Sequence, residues 1–216
     1  MLSDCAPGSS ANTTATCQVE PAKTIGPERL AIRPYPKELE ESIDWDGARI
    51  LIRPIRPEDG SRSQAFLENL DPEDAQMRFF YLMRHLPRSE LARMTQIDYH
   101  REMTFIATTE GQTGQPEILG EVRVAADPDN IRAEMAIVVR SKLKGRGLGS
   151  RLLEKMIRYC RERGTGQMVG QVRTENVRMR ALVKKFGFKI AASRDGIAEI
   201  SLDLTRPKES SQATLV

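Results

Sequence analysis

Three cysteines, two histidines and one tryptophan in 216 residues, with no long apolar run, exclude several classes at the outset. Cys5 and Cys17 lie in a low-complexity tail and Cys160 in an expected helix, too scattered for a disulfide framework. Reduced thiols in a cytoplasmic protein are the expectation. No stretch of eighteen apolar residues exists to span a bilayer, so no membrane partner is expected. Met1–Lys23 has no basic stretch leading into an apolar one, so no secretory signal is expected. His85 and His100 stand far apart without a cysteine or carboxylate array, which speaks against a metal. An excess of one sign of charge is also lacking: 33 Lys and Arg oppose 30 Asp and Glu, a net charge of +3. Nucleic-acid binders are far more lopsided, so no nucleic-acid partner is expected.

What is present suits one domain with polar ends. Residues 1–26 are rich in Ser, Thr, Ala and Pro without an apolar period and read as a disordered tail. Residues 27–46 carry Arg33-Pro34-Tyr35-Pro36 and read as an extended lead-in, since a residue before proline avoids the helical region. The folded domain is expected over 47–204, with a polar tail over 205–216. Arg49–Ile55 reads as a strand, and helices follow over Asp59–Leu70, from Asp71-Pro72 toward Met83, and over Ser89–Ile97. Strands are expected over Met103–Thr109, Ile118–Ala125 and Arg132–Arg140, the first two separated by a turn-rich loop over Gly111–Pro116. An amphipathic helix Leu148–Arg163 stops at Gly164, with Leu152, Leu153, Met156, Ile157 and Cys160 on one face. A strand Met168–Arg173, a helix Val177–Phe186 and strands Phe188–Ala192 and Ile197–Leu204 close the chain. The class is α/β, or mixed α+β, around a central, mostly antiparallel mixed sheet of about seven strands flanked by helices.

The chemistry concentrates at Arg140–Ser150, between an apolar strand and the amphipathic helix. Gly145, Gly147 and Gly149 alternate, which clears side chains from one turn and lets backbone N–H groups converge at a helix N-terminus. Arg140, Lys142, Lys144 and Arg146 add positive charge, and a pyrophosphate suits such a place. The spacing fits neither a nucleoside-triphosphate loop nor a dinucleotide fingerprint, whose third glycine comes one residue later.

Lys144-Gly145-Arg146-Gly147-Leu148-Gly149 resembles the acyl-CoA cradle Arg/Gln-x-x-Gly-x-Gly/Ala of the GCN5-related N-acetyltransferases, with lysine in the first place. Asn176–Phe188 resembles that family's last helix and its Gly-Phe exit, and Ala133–Val139 its pantetheine-binding strand. The likeness covers Arg49–Leu204. Ile32–Pro36, Ile52–Asp59 and Arg78-Phe79-Phe80 are further similar to the acetyltransferase portion of bacterial protein-lysine acetyltransferases. That portion is usually fused to an acyl-CoA synthetase-like half, and no such half lies in these residues, so its regulation is not carried over.

The resemblance implies acetyl-CoA as co-substrate and no metal. Cofactor contacts are expected from Val138, Val139, Arg140, Lys144, Gly145, Arg146, Gly147, Leu148, Gly149, Ser150 and Asn176. A backbone N–H on Val138–Arg140 would polarise the thioester carbonyl. Glu134, interrupting an apolar strand where lysine-acetylating relatives place a glutamate, is the first choice of base. Pairing with Arg132 or plain solvation is its structural alternative. Glu102, opening another strand, is the second choice. Asn176 caps its helix or contacts the cofactor arm, and His100 lines the acceptor entrance or stays at the surface. Cys160 packs. The family's leaving-group tyrosine is missing, since its place holds Leu182-Val183. The expected activity is direct acetyl transfer to an amine, foremost a protein lysine. A small-amine acetyltransferase and a non-catalytic acyl-CoA sensor stay open, as does the oligomeric state.

Overall fold

A computed structural model describes residues 33–79, 86–110 and 116–205. Both tails beyond these limits, His85, the helix end toward Met83 and most of the Gly111–Pro116 loop lie outside the described residues. The described chain builds one eight-stranded sheet in the order β1-β2-β3-β4-β5-β6-β8-β7. Its strands are β1 Glu41–Trp45, β2 Ala48–Pro54, β3 Glu102–Glu110, β4 Pro116–Ala126, β5 Arg132–Val139, β6 Gln167–Arg173, β7 Lys189–Ile190 and β8 Ile197–Asp203. Every neighbouring pair is antiparallel except β5 and β6, which run parallel with helix α4 (Leu148–Glu162) between them. Helices α1 (Gly60–Glu68), α2 (Pro72–Phe79) and α3 (Arg88–Thr95) link β2 to β3, and α5 (Val177–Lys185) links β6 to β7.

Most elements lie within a residue or two of their expected positions, and two differ in kind. Residues 41–45, within the stretch read as a lead-in, form a strand: β1 pairs with β2 along its length, from Glu41↔Ile52 to Trp45↔Ala48. The turn is Asp46-Gly47, both at positive φ (52° and 78°), the backbone that a two-residue hairpin requires. At the other edge only Lys189–Ile190 count as strand β7, where Phe188–Ala192 was expected. Phe188 turns into the core, and past Ile190 the pairing continues only through the Ala191 N–H to Glu199 O and the isolated Arg194↔Ile197 bridge.

Alternation along β4 sorts the two faces. A Cβ on Gly120 would stand 3.2 Å from Leu152, so Gly120, Val122 and Val124 face α4. The buried stripe of α4, with Leu152, Leu153 and Met156 fully enclosed, covers that side. Leu119, Glu121, Arg123 and Ala125 face away. On that second face Arg53 pairs across the sheet with Ile106, which pairs with Glu121. Arg53 donates to both Asp59 oxygens at 2.7 and 2.8 Å. Asp59, fully buried, also accepts from the Arg56 N–H at 2.8 Å and from Arg62 at 2.9 Å. The expected helix start at Asp59 is therefore a 3-10 turn, Pro57–Asp59, with α1 beginning at Gly60. Burial alone raises the Asp59 pKa, but its bonds to Arg53 and the Arg56 N–H leave it below the usual carboxylate value.

Candidate active site

Strands β5 and β6 form a fork. They pair only at Arg132↔Gln167, Ala133↔Met168 and Glu134↔Val169. Beyond Glu134, β5 stays with β4 as far as Val139, while β6 stays with β8 as far as Arg173. At the crotch a Cβ on Gly170 would lie 3.0 Å from the Met135 carbonyl oxygen, so only glycine allows this approach without a shift. Along β5 the peptide groups alternate in direction. The Arg140 N–H bonds to Leu119 O on β4 at 2.9 Å, and the Val138 carbonyl also points toward β4. Ile137 and Val139 consequently turn their N–H and C=O toward the opening gap. This narrows the expectation of a polarising N–H on Val138–Arg140. The Arg140 and Val138 groups serve the β4 ladder, which leaves Val139 and, one pleat earlier, Ile137.

The gap leads to the glycine turn. After the 3-10 turn Ser141–Leu143 and an extended Lys144, Gly145 and Gly147 adopt φ of 81° and 86°. That left-handed region disfavours residues with a Cβ. No protein atom lies within 4 Å of where either Cβ would be, so the outer side of the turn is open to a ligand. Gly149 differs: inside the helix, its Cβ would make ordinary contacts with Leu182 and Val139 at 3.6 and 3.7 Å. Gly147 is the N-cap of α4 and no side chain caps this end. The first N–H groups, on Leu148, Gly149 and Ser150, thus lack helical partners and add to the positive end of a fifteen-residue dipole. These donors and the cleared surface suit a pyrophosphate.

Three of the four local cations are already engaged. Arg140 bonds to Glu117 at 2.7 Å. Lys144 pairs with Asp74 of α2, and Arg146 with Asp46 of the first hairpin. Lys142 is exposed and without an ionic partner among the described residues. The turn is also braced by Trp45, whose indole N–H donates to Arg146 O at 2.8 Å. These braces arrive from as much as 101 residues away, so nothing near the motif announced them.

Glu134 is exposed, at the crotch, on the sheet face opposite α4. No ion pair joins it to Arg132 among the described residues. Glu102 stands in the same cross-strand row, Glu102↔Ala125↔Glu134, and its carboxylate is paired with Arg123. Asn176 caps α5 by accepting from the Met179 N–H at 3.0 Å. At the missing tyrosine's place Leu182 touches the cradle helix and Val183 is fully buried, so neither offers a proton. His100 is exposed, and loss of water and the nearby Arg163 and Arg33 hold its pKa below the usual value. Cys160 is enclosed by the core, which pushes its thiol up to about 12. No group of His, Cys, Asp or Glu able to hold a metal occurs among the described residues. A cavity of about 270 Å³ lies elsewhere, beside α4, floored by Phe105 and Tyr159. Its Lys155 and Arg158 are both held by Glu41 at 2.9 Å, so neither is free for a phosphate.

Residues 68–188 match the acetyltransferase (GNAT) family. The chain belongs to that family. Among curated relatives, an acetyltransferase of Pseudomonas aeruginosa is 32% identical over 148 residues, 68% of this chain and 78% of that one. The acetyltransferase Pat of Mycolicibacterium smegmatis is 27% identical over 76% of this chain, which spans about half (47%) of Pat. The solved GNAT domain of S. lividans PAT superposes with a TM-score of 0.71 at 28% identity, covering 79% of this chain and 99% of that domain. A ribosomal L7/L12 α-N-protein acetyltransferase in complex with coenzyme A shares the fold alone, with a TM-score of 0.59 at 14% identity. The GNAT enzymes are N-acetyltransferases that use acetyl-CoA and an amine acceptor, and this chain is an acyltransferase of that kind. Among its described residues no helix is long and apolar enough to cross a membrane.

Proposed function

We propose that this GNAT enzyme transfers acetyl from acetyl-CoA directly to the side chain of a protein lysine, with Glu134 as base. The observation that carries the reading is Glu134 at the crotch of a fork whose open end leads to Gly145–Gly149. From Glu134 to Val139 the strand spans about 17 Å at 3.3–3.4 Å per residue, a channel edged by the free backbone groups of Ile137 and Val139. The first turn of α4 holds the pyrophosphate, and Asn176 sits where the arm passes the start of α5. Acetyl-CoA supplies the thioester and its leaving thiol.

The remaining work falls to the chain. A lysine ammonium with a pKa near 10.4 must lose its proton, which at pH 7 costs about 4–5 kcal/mol. Glu134 takes that proton, directly or through one water; the neutral nitrogen then forms its bond to the acetyl carbon and gives its second proton to solvent. An N–H of Ile137 or Val139 stabilises the negative charge that develops on the carbonyl oxygen. The carbon–sulfur bond breaks, and the sulfur leaves as thiolate and takes a proton from water. With Leu182-Val183 in the tyrosine's place no side-chain acid is supplied there, and a thiol pKa near 8.5 makes one dispensable. Glu102 is the lesser candidate for base because Arg123 occupies its carboxylate.

Protein lysine is favoured over small amines by the resemblance of Ile32–Pro36, Ile52–Asp59 and Arg78-Phe79-Phe80 to protein-lysine acetyltransferases. The test is the destination of a labelled acetyl group offered together with intact acceptor proteins, polyamines and free amino acids. Label on lysine side chains of proteins supports the reading. Label on a small amine alone replaces it with a small-amine enzyme, and bound acetyl-CoA without transfer replaces it with a sensor.

A further inference from the structure

Helix α2 belongs to the segment between β2 and β3 and packs against β5, the strand that carries Glu134. Its first turn is nevertheless fastened to the cofactor turn. Asp74 accepts a hydrogen bond from Ser141 Oγ and pairs with Lys144 Nζ, the first residue of the glycine motif. Ser141 Oγ in turn accepts from the Asp71 N–H at 3.1 Å, doing from a distance what the N3 side chain of a capping box does locally. The Asp74 and Lys144 side chains are only 15% and 25% exposed, so solvent screens this pair less than a surface ion pair.

We infer that Asp74 is a positioning residue through which the cofactor acts on α2. The inference rests on the proposed seat of acetyl-CoA at Gly145–Ser150. A pyrophosphate at that seat approaches the same ammonium that Asp74 holds. The two anions compete for Lys144 and repel one another, so Asp74 weakens cofactor binding and the arriving cofactor loosens the first turn of α2. Cofactor occupancy is thereby felt by a helix that packs against the strand carrying Glu134. Arg146–Asp46 is a similar pair at the same turn, but Asp46 belongs to the first hairpin and not to α2.

The test compares wild type, Asp74→Asn and Lys144→Gln by calorimetric titration with coenzyme A and by hydrogen exchange across residues 72–79. Asp74→Asn should tighten coenzyme A about fivefold, the upper end of what a partly exposed ion pair contributes. Lys144→Gln should weaken it. In wild type, coenzyme A should speed exchange in α2. In both variants exchange should be fast already and no longer respond. A merely structural Asp74 would lose melting temperature and cofactor affinity together, and that outcome, or an α2 that still responds in Asp74→Asn, overturns the inference. Failure of wild type to bind coenzyme A would overturn the cofactor seat itself.

Discussion

Replacing Gly147 separates what its backbone needs from what its missing side chain leaves free. Gly147 stands at φ 86°, where an L-residue costs roughly 1–2 kcal/mol. No protein atom lies within 4 Å of the added Cβ, so no clash is added to that strain. For a domain of this size Gly147→Ala should lower the melting temperature by about 2–8 °C. Gly164, past the end of α4, is the matched control: φ 69°, again nothing within 4 Å, and far from the turn. Gly164→Ala should show the same loss of stability and bind acetyl-CoA as wild type does. Gly147→Asp should differ sharply, because its carboxylate would enter the pyrophosphate seat. Two like charges 4 Å apart at an effective dielectric of 20 repel by about 4 kcal/mol, roughly a thousandfold in Kd. Trp45, the single tryptophan, donates to Arg146 O inside the turn, so its fluorescence follows the titration. Isothermal calorimetry checks the same constants without a probe. Gly147→Asp binding acetyl-CoA within threefold of wild type would refute the cradle reasoning, whatever its stability.

Glu134→Gln should lower kcat about a hundredfold at neutral pH with acetyl-CoA affinity unchanged, as steady-state kinetics and calorimetry will report. Glu102→Gln should leave most of the rate. Asp59→Asn breaks a buried pair with Arg53 and should cost about 3–5 kcal/mol in urea unfolding. Because the folded carboxyl titrates below the unfolded value of about 3.9, its stabilising contribution is full above that pH and fades as pH falls through the folded pKa. Wild type should therefore lose stability below about pH 4–5 more steeply than Asp59→Asn. Cys160, with its thiol raised to about 12 inside the core, should resist thiol reagents in the native protein and react on unfolding, as peptide mapping will show.

Much of the fold was legible because burial leaves a period. The helical stripe of α4 and the short apolar and β-branched runs of β2 to β6 set their elements to within a residue or two. Strand β1 escaped because only Ile43 and Trp45 on it are apolar and none of its residues is fully buried. Its signal lay in the Asp46-Gly47 dipeptide, a hairpin turn between two short runs. The glycine turn was readable from its motif, whereas its charge state was not. Lys144 and Arg146 read as free cations, but their partners Asp74 and Asp46 lie 70 and 100 residues away in the chain. The choice of Ile137 and Val139 over Val138 and Arg140 depends on which peptide groups β4 occupies, a matter of register that one strand's sequence does not encode. Asp59 read as a helix-opening acid. Its burial follows from Arg53, six residues earlier on the inner face of β2.

The most direct test of the account is release of free coenzyme A thiol from acetyl-CoA, measured side by side for wild type and Glu134→Gln with protein, polyamine and amino-acid acceptors. The account expects turnover with the protein acceptor, largely lost in Glu134→Gln. Full-rate turnover by Glu134→Gln, or no turnover with any acceptor despite tight binding, would contradict it.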